Sequence, residues 1–222
     1  MLAKVLSAAV LGIEAFAVEV EVDLSSGLPA FTAVGLPDAV VKESRDRVAA
    51  AVKNTGFQFP LKKITVNLAP ADVRKEGSAF DLPIAVGILR ASGIISGDRL
   101  DGHLLLGELS LDGRVKPIKG ALPIAAGMQG RKGLSGLILP RNNAPEAAAV
   151  SKDLSILAAD TLPQVIEYLN GEQALDRVAV DTKAEFGRPR SHEVDLSEIR
   201  GQQHAKRAME VACAGGHNIL ML

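Results

Sequence analysis

The stretch Glu76-Gly77-Ser78-Ala79-Phe80-Asp81-Leu82-Pro83-Ile84-Ala85 decides how this chain folds. From Phe80 to Ala91 the sequence is apolar almost all round, through Leu82, Ile84, Ala85, Ile88 and Leu89, and Ser92-Gly93 closes the run. A helix apolar on every face belongs inside a core, not on a surface. Ser78, just ahead of it, reads as a helix cap. Upstream, Lys63 to Leu68 reads as a strand that Ala69-Pro70-Ala71-Asp72 terminates. A core helix that follows a strand points to layered α/β or α+β architecture.

Towards the N-terminus, Val18, Val20 and Val22 alternate with Glu19, Glu21 and Asp23, the period-two signature of a half-buried strand. Residues 14–23 are therefore a strand, and residues 3–12 its antiparallel partner. Met1 to Ala17 also carries leader-like features: Lys4, the apolar run Val5 to Ile13, and Ala15-Phe16-Ala17. Glu14 and the alternation beyond it favour the strand pair. Ala30 to Val34 is a third strand, stopped by Gly35-Leu36-Pro37. Pro37-Asp38 opens a helix, since proline is tolerated in the first turn and Asp favours the N-terminus. Val41, Ser44, Val48, Ala51 and Val52 share one face of it, and Asn54-Thr55-Gly56 ends it.

Towards the C-terminus, Leu104 to Leu109 reads as one strand, and Leu111-Asp112-Gly113-Arg114 as a hairpin turn into Val115 to Ile118. Helices are expected near Ala121–Met128, Glu146–Val150 and Leu162–Leu169, and strands at Leu137–Leu139 and Leu154–Ala158. Residues 171–194 carry charges and proline with little periodicity and read as a linker. Residues 195–222 form a separate unit, with a helix from Gln202 to Ala214, a Gly215-Gly216 stop and a buried strand from Asn218 to Leu222. A finished domain rarely ends on an unpaired apolar strand, so the sequence is expected to be truncated there. The division is thus 1–170, 171–194 and 195–222.

Bulk composition narrows the function. The 222 residues carry a formal net charge of -1, which does not announce a nucleic-acid domain by itself. Aromatics are 3 %, without Trp, which disfavours base stacking as a general mode. Cys213 is the single cysteine, so there is no internal disulfide, and a reducing cytoplasm fits. No window reaches 18 apolar residues, so no transmembrane helix is expected. The four histidines, His103, His192, His204 and His217, show no metal-ligand spacing; no metal site is expected, and His204 reads as a surface residue.

Four ordered strings carry a resemblance: Val41-Lys42-Glu43-Ser44-Arg45-Asp46-Arg47-Val48, Asn54-Thr55-Gly56-Phe57-Gln58-Phe59-Pro60, Ile64-Thr65-Val66-Asn67-Leu68-Ala69-Pro70-Ala71-Asp72 and Phe80-Asp81-Leu82-Pro83-Ile84-Ala85. They resemble the ComM/YifB family of magnesium-chelatase-like AAA+ ATPases over essentially the whole chain. The resemblance implies a first domain with the ribosomal protein S5 domain 2-like fold shared with Lon peptidases, followed by an incomplete AAA+ P-loop domain opening at Asp195. It implies ATP and Mg2+ as cofactors of the full-length protein, DNA as its partner and a homo-hexameric ring. The implied activity is ATP-driven DNA translocation and branch migration in homologous recombination and natural transformation. A magnesium-chelatase ATPase subunit is the alternative. No G-x-x-x-x-G-K-[ST] occurs in the sequence, so these residues alone lack the loop whose amides and lysine cradle phosphates. By the same resemblance Ile199 and Gly201 would edge an adenine pocket.

A Lon-type Ser/Lys peptidase is the third possibility, tested residue by residue. Glu76-Gly77-Ser78 matches the segment around the nucleophile, and Gly113-Arg114-Val115 with Pro117-Ile118 and Gly120 matches the segment before the lysine. In that register Ala79 stands at the nucleophile and Leu122 at the lysine, so the pair that activates a hydroxyl is missing. Ser78, Lys116 and Lys119 lie close by, but one shift would need to serve both positions. Lys42, Arg45, Arg47, Lys53, Lys62, Lys63, Arg74 and Lys75 are candidates for a DNA-facing surface, interleaved with Glu43, Asp46, Asp72 and Glu76. Arg141-Asn142-Asn143 reads as a plain turn. Residues 1–170 alone are expected to be monomeric or weakly associated.

Overall fold

The computed structural model describes residues 1–75, 77–182 and 195–221. It separates into two compact units, Met1–Thr182 and Lys183–Leu222. The first holds strands β1 (Leu2–Leu11), β2 (Glu14–Ser25), β3 (Ala30–Val34), β4 (Lys63–Ala69), β5 (His103–Leu105), β6 (Glu108–Leu109), β7 (Val115–Lys116), β8 (Gly136–Pro140), β9 (Ser155–Ala159) and β10 (Asp176–Val178). Its helices are α1 (Ala39–Asn54), α2 (Asp81–Ala91), α3 (Ala121–Gly127), α4 (Ala144–Val150) and α5 (Leu162–Asn170).

Eight strands form one mixed sheet in the order β10-β9-β8-β5-β1-β2-β4-β3, and β6 and β7 form a separate hairpin. The β1–β2 pair is antiparallel from Leu2↔Asp23 to Leu11↔Glu14, while β1, β5, β8 and β9 run parallel. Successive side chains of a strand point to opposite faces. Leu105, Ile138 and Leu157 accordingly join the core beneath α1, α2 and α5, and Leu104, Leu137 and Ile156 join the core beneath α3 and α4. The fold is α/β, with helices on both faces of the sheet.

Helix α2 lies in the centre, every residue but Arg90 buried. It comes so close to β2 that a Cβ on Gly87 would stand 2.6 Å from Val22 Cγ2. Gly35, which ends β3, has φ +92° and would place a Cβ 2.2 Å from the Leu68 carbonyl oxygen, so only glycine fits this turn. Asp38 caps α1 through Val41 N at 2.7 Å.

Three expectations need correction. The strand expected from Leu104 to Leu109 is two strands, because the chain leaves the sheet at Leu106-Gly107. Gly107 N donates to the Ala79 carbonyl at 3.0 Å, and its own carbonyl accepts from Leu82 N at 2.9 Å. The stretch read as a linker from residue 171 contains β10, antiparallel to β9, and Arg141 anchors it through Asp176 at 2.8 Å. Leu175, Val178 and Val180 pack on the two cores, so the first unit continues to Thr182. Residues 183–194 lie outside the described residues.

The third correction concerns the second unit. It contains a turn at Leu196–Glu198 capped by Asp195, then helix α6 (Gln203–Gly215). Residues 217–221 form no strand and Leu220 is 82 % exposed. Apolar sequence sets strand propensity, but a strand exists only where a neighbour accepts its ladder, and none does among the described residues. No helix among the described residues is long and apolar enough to cross a membrane.

The Gly87–Val22 contact yields a test. Gly87→Ala is expected to lower unfolding stability by about 1–3 kcal/mol in urea titration, because overpacking outweighs the helix-propensity gain. Combining it with Val22→Ala should cost less than the sum of the two single changes.

Candidate functional site

The loop before α2, the hairpin β6–β7 and the segment entering α3 enclose a cleft of about 600 Å3. Ala8, Val10, Phe80 and Ile124 supply apolar wall, and Asp38, Ser78, Glu108 and Lys119 supply the polar groups. Asp38 is fixed from two sides, accepting from Val41 N and, at 3.1 Å, from Gly77 N. Ser78 does not cap α2 as expected. Its hydroxyl donates to the Glu108 carboxylate across the cleft, and no side chain caps the turn Ser78–Phe80. The opposite wall is held by Asn143, whose Oδ1 accepts from Ile118 N and whose Nδ2 donates to Ile118 O, both at 2.9 Å. The Arg141-Asn142-Asn143 segment is thus more than a turn.

Behind this cleft lies a buried ion pair. The Asp81 side chain is 0 % exposed and accepts from Ser44 Oγ at 2.5 Å, Arg47 Nε at 2.7 Å, Arg47 Nη2 at 3.0 Å and Leu109 N at 3.2 Å. One carboxylate therefore joins α1, α2 and β6. Burial pushes the Asp81 carboxyl above the ordinary carboxylate range, while Arg47 and Ser44 pull it back. Arg47 is held above its own ordinary value chiefly by its bond to Asp81.

The structure brings some expected residues together and disperses others. Ala79 lines the cleft; Leu122 does not, being 43 % exposed on the outer side of α3, while Ile118 and Lys119 face the cleft instead. Glu76 lies outside the described residues. Arg47 is withdrawn from a DNA-facing surface by Asp81, and so is Lys75, whose ammonium is fully buried without a hydrogen-bond partner among the described residues. Burial pushes the Lys75 ammonium below its ordinary value. Arg45, Lys53, Lys62, Lys63 and Arg74 are exposed. Lys42 lies on α1, and its side chain is outside the described residues. His204 is exposed as expected, whereas His103 is buried, bonded to the Arg99 carbonyl at 2.5 Å and the Tyr168 hydroxyl at 2.9 Å. No metal-holding group of His, Cys, Asp and Glu occurs among the described residues.

In the second unit, Ile199 is 41 % exposed and its carbonyl accepts from the Lys206 ammonium. Gly201 and Gln202 follow with left-handed φ of 73° and 54°. That turn is open, and its first carbonyl is already engaged by protein.

With this geometry in place, comparison with known proteins is informative. Residues 20–143 match the family model described as subunit ChlI of Mg-chelatase, and residues 195–222 match magnesium chelatase, subunit ChlI. The chain is 44 % identical over its whole length to the competence protein ComM of Haemophilus influenzae, covering 43 % of that protein. It is 43 % identical to YifB of Escherichia coli over 96 % of its length and 41 % of the relative's. The chain belongs to the ComM/YifB family of magnesium-chelatase-like proteins. It spans under half the length of these relatives. A weaker similarity, 28 % over 66 % of the chain, links it to 19 % of the Lon protease of Chloroflexus aurantiacus.

The ion pair at Asp81 gives a prediction with a definite sign. Arg47→Met leaves a buried carboxylate without its cation and is expected to cost about 3–5 kcal/mol near neutral pH. In this variant the folded-state pKa of Asp81 rises further above its unfolded value. The loss therefore shrinks as pH falls towards the unfolded Asp value of about 4 and grows as pH rises. Thermal melts of both proteins between acid and neutral pH measure it.

Proposed function

We propose that this chain is the N-terminal part of a ComM/YifB-type AAA+ motor whose first unit is a non-catalytic, Lon-like domain of the ribosomal protein S5 domain 2-like fold. The full-length protein then uses ATP and Mg2+ to translocate DNA and migrate branched junctions in recombination and transformation. The first unit serves as scaffold or DNA-contact collar, and residues 195–222 open the motor.

The observation that carries the non-catalytic role is the state of the cleft. Ala79 offers no nucleophile. The neighbouring Ser78 hydroxyl is bound by Glu108, not by a lysine that could accept its proton. A serine hydrogen-bonded to a carboxylate at the mouth of a fixed ion pair is a structural link, and Leu122 lies away from the cleft. The family membership supports the motor, and the name of the ComM relative supports a role in competence.

DNA binding tests the collar role. The 222-residue chain, titrated with branched, duplex and single-stranded DNA across salt concentrations, is expected to bind with an affinity that falls as salt rises. Absence of binding at low salt would sink the collar and leave a scaffold. Residues 1–182, one compact unit, are expected to scatter light as a monomer or weak oligomer. A stable hexamer of that unit would instead place the ring contacts in it.

A further inference from the structure

Away from the cleft, a groove of about 780 Å3 opens where the chain passes from α1 to β4. Phe57, Phe59 and Leu61 line it, with Ile94 behind, and Lys53 and Lys62 stand at its border. No acidic residue lines it, and neither lysine is ion-paired among the described residues. Two of the six phenylalanines of a chain with 3 % aromatics thus sit two residues apart in one groove. Each is half-buried, one part against the core and the other open. The backbone leading into Phe57 is pinned: Phe57 N donates to the Val52 carbonyl at 3.1 Å, Gly56 N to Lys53 O at 3.1 Å, and Thr55 Oγ1 to Ala51 O at 2.7 Å. The exposed amide of Gln58 lies between the rings in sequence and can donate and accept.

We propose that this groove binds single-stranded DNA, with bases stacked on Phe57 and Phe59 and phosphates met by Lys53 and Lys62. The assignment rests on the DNA-collar function above and names the strand form and the residues. Fixed aromatic faces beside cations with no competing carboxylate are what unstacked bases on an anionic backbone require. Duplex DNA hides its base faces and would use only the lysines. An acidic peptide would likewise use the lysines and gain nothing from the ring faces.

The test uses the 222-residue chain with oligothymidylate, a duplex of equal length and polyglutamate. Phe57→Leu with Phe59→Leu keeps apolar volume against the core but removes both ring faces. It is expected to weaken oligothymidylate binding about ten-fold or more while leaving the salt slope, duplex binding and melting temperature nearly unchanged. Lys53→Gln with Lys62→Gln should instead lower the single-strand salt slope by roughly 1.4, about 0.7 per phosphate contact. Since the chain lacks Trp, Phe59→Trp adds a single fluorophore, and oligothymidylate should quench it while polyglutamate does not. DNA that binds with affinity and slope indifferent to both pairs, or polyglutamate that binds as well as oligothymidylate, overturns the groove assignment alone. Failure of every DNA form to bind at low salt overturns the collar and the groove together.

Discussion

A carboxylate with no solvent exposure holds together helices α1 and α2 and the hairpin behind the cleft. Removing an ion from water costs several kcal/mol unless fixed donors replace the lost hydration. Asp81 recovers that cost from Ser44 and Arg47 on α1 and from the Leu109 amide on β6. Those three donors lie 37, 34 and 28 residues away in sequence, so the network forms only when α1, α2 and the hairpin are all docked. Arg47 also donates to the Val40 carbonyl, which extends the tie to the first turn of α1, where Asp38 holds the loop at Gly77. Position 81 is therefore occupied by a group whose geometry the surrounding helices fix.

The cleft in front of that network keeps its shape by hydrogen bonds between its walls. Glu108, next to the Leu109 amide, takes the Ser78 hydroxyl, and Asn143 holds Ile118 on the facing wall through both its backbone groups. A peptidase cleft of this kind needs a lysine whose neutral form accepts the serine proton. Here the exposed Lys119 borders the cleft while the fully buried lysine, Lys75, is not among its lining. The cleft's shape is held by Asp38, Ser78, Glu108 and Asn143, and of the two positions singled out from the sequence Ala79 lines it while Leu122 does not.

Local pattern carried most of the fold. The alternation from Val18 to Val22 gave the register of β2, and the face Val41, Ser44, Val48, Ala51 and Val52 of α1 is buried as its spacing implies. Even the polar member, Ser44, is buried, because Asp81 awaits it; periodicity placed the residue but not its partner. Patterns could not show that Gly107 leaves the sheet, since that depends on backbone groups of Ala79 and Leu82. Nor could they show that Asp176–Val178 pairs with β9, since charged residues read as linker until Arg141 meets Asp176. The converse error lies at 218–221, where apolar sequence met no partner strand among the described residues. In the site, the spacing brought Ala79 to the cleft but not Leu122, and the withdrawal of Arg47 and Lys75 from the surface depends on burial that charge counting does not see.

Composition averages over placement in the same way. A 3 % aromatic content argues against base stacking when averaged over 222 residues, yet an average says nothing about placement. The turn after α1 reverses the chain at Gly56, which has φ +88°, and Phe57 and Phe59 then line one groove. The core needs only part of each ring, as their half-burial shows. Folding leaves the outer part of each ring uncovered beside the exposed Lys53 and Lys62. Net charge near zero is compatible with it, because the acidic residues that balance the chain line other surfaces, such as Glu19 and Glu21 beside Lys4.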